Sequence, residues 1–189
     1  MMETEFDMFE PVKIDTHRLR LRPLRAEDAS AFFEIWSDPE AVRYFSFAPM
    51  RDIKLAHARV AEKLQSSRVG DSMTCVIEFK NTGEILGDCG LFNGVSQSRR
   101  AEIGYCLGRK NWGNGYMLEA ADALIEHGLK RVGLHRIEAD IDPRNQPSIK
   151  LVERLGFKRE GYLRERWMID GEITDTVLYG LIHSDRYPA

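Results

Sequence analysis

Two closely spaced glycines, Gly113 and Gly115, stand between a segment that reads as extended and one that reads as helical. The passage runs Leu107-Gly108-Arg109-Lys110-Asn111-Trp112-Gly113-Asn114-Gly115-Tyr116. Before it, Ala101-Glu102-Ile103-Gly104-Tyr105-Cys106-Leu107 has the character of a strand. After it, Met117, Leu118, Ala121, Leu124, Ile125 and Leu129 recur at helical spacing, which predicts an amphipathic helix from about residue 116 to 131. Strand, glycine loop and helix in that order leave the first helical N–H groups without partners inside the helix, and the helix dipole adds partial positive charge there. Glycine lets the backbone come close to a ligand with no side chain in the way. The feature predicts an anion site, and a phosphate above all.

Asn114-Gly115 can also be read as a two-residue hairpin turn. A hairpin needs a second strand of period two, and the residues after Tyr116 keep the helical period instead. On this loop alone a plain structural turn stays open. Two common phosphate loops do not fit. No Gly-Lys-Ser/Thr ending follows, and the three-glycine dinucleotide fingerprint is absent.

A second passage, Asp142-Pro143-Arg144-Asn145-Gln146-Pro147-Ser148, leads into Ile149-Lys150-Leu151-Val152-Glu153-Arg154-Leu155-Gly156-Phe157. Trp112-Gly113-Asn114-Gly115-Tyr116 opening one helix, Asn145-Xaa-Xaa-Ser148 opening the next and Leu155-Gly156-Phe157 closing it resemble the GNAT superfamily of acyl-CoA N-acyltransferases. Within that superfamily the chain is most similar to the Rim-type branch, the ribosomal-protein N-terminal acetyltransferases and their relatives. The likeness runs from His17-Arg18-Leu19-Arg20-Leu21-Arg22-Pro23-Leu24 to Asp175-Thr176-Val177-Leu178-Tyr179, and is most specific over residues 101–161.

The resemblance implies an α/β fold: a mostly antiparallel mixed sheet with a splayed parallel strand pair and flanking helices. Residues 1–12 would be a lead-in and 13–189 a single domain. Acetyl-CoA would be the acyl donor. Backbone groups of Tyr105, Cys106 and Leu107 would pair with its pantetheine arm, and N–H groups of Gly113, Asn114, Gly115, Tyr116, Met117 and Leu118 would hold its pyrophosphate. The family's glycine motif is Gln/Arg-Xaa-Xaa-Gly-Xaa-Gly/Ala; aligned on Gly115, its first position is Trp112 and its last Met117. Lys110 and Arg109 would add charge at the phosphates, or would be solvated surface.

The implied reaction is attack of a neutral amine on a thioester carbonyl, which needs a base, donors for the oxyanion and an acid for the departing thiolate. A backbone N–H at the Tyr105–Leu107 end of the strand suits the oxyanion, and holding two substrates in register needs no covalent step. Many relatives place a tyrosine acid five residues before the phenylalanine of the Gly-Phe pair, but here that position is Val152. The Rim-type likeness implies Ser148 in that role, with Asn145 and Ser148 touching the cofactor. Asn145 is equally a helix N-cap and Ser148 a first-turn residue, and one residue can both cap and bind. Glu102 is the first candidate for the base. On a regular strand it shares a face with Gly104 and Cys106, opposite Ile103, Tyr105 and Leu107. Its alternative is a salt bridge with Arg99 or Arg100; Glu160 and Glu165 stand behind it as bases.

The chain has 189 residues, 43% hydrophobic and 30% charged, which suits one globular domain with a sizeable core. A net charge of −3 gives no reason to expect nucleic acid or an anionic membrane as partner. No stretch approaches the ~20 apolar residues of a membrane span. The acidic start Met1-Met2-Glu3-Thr4-Glu5-Phe6-Asp7 is unlike a signal peptide, so a cytoplasmic protein is expected. Cys75, Cys89 and Cys106 fall in predicted strands and read as small buried residues. As a nucleophile Cys106 has no histidine at a helpful spacing, and nothing has metal-ligand spacing, so no metal is expected.

Elsewhere the pattern predicts a strand over 18–22 and a helix from Arg25-Ala26-Glu27-Asp28 through Trp36, broken by Asp38-Pro39. It predicts a helix over 53–67, strands over 73–79 and 84–92, and a strand over 134–141 parallel to 101–107 because a helix lies between. Asp170-Gly171 predicts a hairpin joining 158–169 and 172–182, whose edge could serve a homodimer. The amine acceptor would sit between residues 39–51 and 165–175, with Tyr44, Phe45, Phe47, Trp167 and Met168 as an aromatic wall or as core. It would be a protein N-terminus or a small amine such as a polyamine, amino acid or antibiotic. The competing reading is a non-catalytic acyl-CoA-binding regulatory module.

Overall fold

The computed structural model describes residues 9–188, so most of the expected lead-in lies outside the described residues. Eight strands form one sheet: β1 (Ile14–Asp15), β2 (Leu19–Pro23), β3 (Met73–Phe79), β4 (Ile85–Val95), β5 (Arg100–Leu107), β6 (Arg136–Ile141), β7 (Lys158–Ile169) and β8 (Glu172–Ile182). Their order across the sheet is β1-β2-β3-β4-β5-β6-β8-β7. Among the described residues only β5 and β6 run parallel. The helices are α1 (Ala29–Trp36), α2 (Ile53–Arg68), α3 (Tyr116–His127), α4 (Gln146–Arg154) and a short α5 (His183–Arg186).

The sheet is covered on both faces, and the alternation of its strands sorts residues between two cores. Ala101, Ile103 and Leu107 of β5 join Leu124 and Ile125 of α3 and Val152 of α4. Cys106, on the opposite face, joins Phe32 and Trp36 of α1 and Ala56 and Val60 of α2. That split follows from the period of two along an extended strand. A buried ion cluster fixes α1 to the sheet: Arg22 of β2 holds Asp28 through two hydrogen bonds of 2.9 and 2.8 Å and Glu78 of β3 at 2.9 Å.

The β7–β8 turn has positive φ at both central residues, Asp170 at 53° and Gly171 at 85°, as a tight Asp-Gly hairpin requires. Two expectations need correction. The helix predicted to residue 131 ends at His127 and continues as a π-helical turn, Gly128–Val132. The strand predicted from 134 begins at Arg136, because the Leu134 N–H donates to the Gly128 carbonyl and the His135 N–H to Arg99 instead of entering a ladder. No helix among the described residues is long and apolar enough to cross a membrane.

The feature that positions a site is where β5 and β6 part. Their ladder runs Arg100↔Arg136, Ala101↔Ile137 and Glu102↔Glu138, then stops. Beyond it β5 follows β4 as far as Leu107, and β6 follows β8 as far as Ile141. Ile103 to Leu107 therefore present a strand edge toward β6 to which, among the described residues, no strand is bonded. Backbone groups on such an edge can pair with an extended ligand.

Candidate active site

At the far end of that edge, Gly113 and Gly115 both adopt the left-handed conformation, at φ 77° and 75°. A Cβ at Gly113 would meet nothing within 4 Å, so the loop faces open space there. Gly115 caps α3 with no side-chain hydrogen bond, whereas Asp52 caps α2 and Asn145 caps α4 with theirs. The first-turn N–H groups of α3 are thus left for a ligand, and the helix dipole favours an anion. These residues fit a pyrophosphate: the N–H groups from Gly113 to Leu118 would hold it.

Side chains of the loop are occupied in shaping it. Trp112 Nε1 donates to the Leu107 carbonyl at 2.9 Å, tying the loop back to the end of β5. The Asn114 amide donates to the carbonyls of Asn111 and Trp112. Lys110 pairs with Glu84 and Arg109 with Asp38, both at 2.9 Å, so each basic side chain has a carboxylate partner at its own end of the loop. Tyr116, Met117 and Leu118 turn their side chains onto the core.

A residue that sequence reasoning missed completes this end. Arg18, just before β2, donates through Nη1 to the Asn114 carbonyl at 3.0 Å and through Nε to Glu119 at 2.7 Å, and lies 4.5 Å from the centroid of the Tyr116 ring. By holding the Asn114 carbonyl it orients the peptide between the two glycines. Burial alone would raise the Glu119 carboxyl, but hydrogen bonds from Thr16 and Arg18 hold it below the ordinary carboxylate range. The alternating Arg18-Leu19-Arg20-Leu21-Arg22 signals a strand, yet nothing local ties Arg18 to a glutamate 101 residues away.

About 17 Å of extended strand separates this loop from Glu102. Glu102, Tyr105, Asn145 and Ser148 line one cavity of about 460 Å³. Its other walls come from residues 42–49 and from the β7–β8 hairpin around Trp167 and Glu172. Tyr44, Phe45, Phe47 and Trp167 are on the wall, while Met168 is off it and 73% exposed.

Within the cavity Glu102 accepts a hydrogen bond from Asn93 at 3.1 Å. Arg100, its alternative partner, is engaged by Glu138 at 2.8 Å, and among the described residues no cation lies within salt-bridge distance of Glu102. Glu160 is bound to Arg136, and neither it nor Glu165 lines the cavity. Asn145 does cap α4, its Oδ1 accepting the Ser148 N–H at 3.2 Å. The Ser148 hydroxyl lies 2.7 Å from the Tyr105 phenol. Val152, where a tyrosine acid would stand, is fully buried in the core. Cys106 points to the opposite core, and burial pushes its thiol well above the ordinary range, which disfavours a thiolate nucleophile.

A family model described as an acetyltransferase (GNAT) domain matches residues 18–158. The chain is 40% identical to an uncharacterized N-acetyltransferase p20 of Bacillus licheniformis, over 88% of this chain and 94% of that one. It is 31% identical to the [ribosomal protein uS5]-alanine N-acetyltransferase of Escherichia coli, over 94% of each. The solved structure of Mycobacterium smegmatis RimJ in complex with CoA-disulfide superposes with a TM-score of 0.81 at 28% identity, covering 95% of this chain and 90% of that chain.

Proposed function

The chain belongs to the GNAT acetyltransferase family, and on that premise we propose that it acetylates a protein N-terminal α-amine by direct attack within a ternary complex. It is an acetyl-CoA-dependent N-acetyltransferase of Rim type. When bound, acetyl-CoA supplies an activated acyl carbon and a thiolate leaving group. The site's own residues account for the rest.

The observation that carries the reading is the position of Glu102. It stands on the last paired rung before β5 and β6 part, on the cavity wall, with an amide beside it and, among the described residues, no cation within salt-bridge distance. A carboxylate there can take the proton from an incoming ammonium, directly or through one water. The free edge of Ile103–Leu107 supports a role in aligning an extended arm, and a backbone N–H on that edge suits the charge developing on the carbonyl oxygen. Ser148 supplies a hydroxyl donor for the departing sulfur. Holding both substrates between the loop and the cavity brings the amine onto the carbonyl without an acyl-enzyme.

The acceptor class is supported by the relative whose name assigns it an alanine of ribosomal protein uS5. A second reading, a small polycationic amine, is favoured by Asp140, Asp142, Asp170 and Glu172 on the same wall as Glu102, against Arg43 and Arg144, with Arg144 itself engaging Asp142 and Glu172. Mass spectrometry separates the two. Peptides with an N-terminal alanine and an internal lysine are offered beside spermidine and an aminoglycoside. Acetylation confined to the peptide α-amine, and abolished when that amine is blocked, is the expected result. Acetylated spermidine with untouched peptide would establish the second reading instead.

A further inference from the structure

The Tyr105 phenol and the Ser148 hydroxyl are 2.7 Å apart on the cavity wall, and either oxygen has the geometry to donate. The surroundings decide the direction. Tyr105 packs against the core on the α3 and α4 side of the sheet, and Ser148 is the sole hydrogen-bond partner of its hydroxyl among the described residues. Were Ser148 to donate to the phenol, the phenol's own hydrogen would have no protein acceptor among the described residues, at a hydroxyl that burial largely strips of water, which is unfavourable. Ser148 has the cavity as its other neighbour.

We infer that Tyr105 is a positioning residue: its phenol donates to Ser148 Oγ and so leaves the serine's hydrogen free to point into the cavity. Burial pushes the phenol up to about 12, the Ser148 hydrogen bond pulling the other way, so Tyr105 stays protonated at neutral pH and keeps a hydrogen to donate. The inference rests on the role of Ser148 given above and adds what orients it.

In the reaction a nitrogen–carbon bond forms and a carbon–sulfur bond breaks. The electron pair passes to sulfur, where the serine hydrogen bond meets it. The proton lost from the amine nitrogen balances the one the thiol acquires, and the phenol keeps its own. Tyr105 therefore acts through a hydroxyl, in place of the tyrosine acid whose position here is Val152.

A double-mutant cycle on the full chain tests this, with kcat, KM for acetyl-CoA and the thermal midpoint measured for Tyr105→Phe, Ser148→Ala and the double variant. Tyr105→Phe keeps the ring and its packing. It is expected to lower kcat about tenfold, with KM for acetyl-CoA and the midpoint little changed. Ser148→Ala is expected to lower kcat by at least as much, and adding Tyr105→Phe to it should lower kcat no further. If Ser148→Ala leaves kcat unchanged, the role of Ser148 fails and the inference with it. If Ser148→Ala lowers kcat while Tyr105→Phe leaves it unchanged, or their effects multiply, Ser148 stands and Tyr105 does not orient it. A Tyr105→Phe variant with an equal loss of kcat in both serine backgrounds, or with a lowered midpoint as its only change, has a packing role and overturns the inference.

Discussion

Glu102→Gln is expected to lower kcat about tenfold at pH 7 and about 100-fold at pH 6, following the roughly one in ten and one in a hundred of a free α-amine that is neutral there. The substitution is nearly isosteric, and the glutamine carbonyl can still accept the Asn93 hydrogen bond that Glu102 accepts at 3.1 Å. Stability and KM for acetyl-CoA should therefore change little. What disappears is the carboxylate that takes a proton from the incoming ammonium. The pH dependence gives the prediction its sign. A free α-amine has a pKa of about 8, so below that pH the acceptor arrives charged and needs a base. Above it the amine arrives neutral and the requirement falls away. The defect of Glu102→Gln should shrink as pH rises through the amine's pKa. A variant within a few-fold of wild type at neutral pH would remove Glu102 from the mechanism. A defect that stays constant across the pH range would assign it a role other than proton acceptance.

At the other end of the strand edge, Gly115→Val should raise KM for acetyl-CoA by at least about tenfold, equivalent to roughly 1.4 kcal/mol of binding. Gly115 has φ 75°, a left-handed conformation that a β-branched residue adopts only under strain of about 1–3 kcal/mol. Its Cβ would meet Arg18 Nη2 only at an ordinary contact of 3.6 Å, so the strain lies in the backbone between the residue Arg18 holds and α3. The loop must shift, and the N–H groups at the start of α3 shift with it. Strain alone is controlled by Gly133→Val. Gly133 has φ 78°, ends the π-helical turn and faces open space, away from the loop. Both variants should lose comparable stability in a denaturant titration, and only Gly115→Val should weaken acetyl-CoA binding. Equal KM values for the two would mean that the loop does not hold the pyrophosphate.

The sequence made some parts of this architecture plain and hid others for physical reasons. Asp170-Gly171 placed both strands of the last hairpin, because a tight turn with two positive-φ residues fixes the register of the rungs beside it, from Ile169↔Glu172 to Trp167↔Thr174; two register shifts farther along β7 had no such signal. The helix between residues 107 and 136 sufficed for the parallel pairing of β5 and β6. Where they part was implied only by family likeness, since no residue in either strand marks the end of a ladder. The π-helical turn after His127 escaped notice because Leu129 continues the helical pattern while the hydrogen bonds change. Contacts between distant segments were hidden altogether. Arg18 with Glu119 and Tyr105 with Ser148 join residues 101 and 43 apart, and local periodicity carries nothing about such pairs. Asn145 and Ser148 were legible as the start of a helix; that Ser148 is hydrogen-bonded to a tyrosine of β5 on the cavity wall was not.

The measurement that tests the account most directly is initial-rate thiol release over a grid of acetyl-CoA and alanine-terminated peptide concentrations, with a rapid-mixing arm lacking peptide. Direct attack in a ternary complex predicts intersecting reciprocal plots, thiol release that depends on the peptide, and no stoichiometric burst from acetyl-CoA alone. Parallel plots with a burst would establish an acyl-enzyme and contradict direct attack. Tight acetyl-CoA binding with no release stimulated by any peptide, polyamine or aminoglycoside would contradict catalysis at this site and leave an acyl-CoA-binding module.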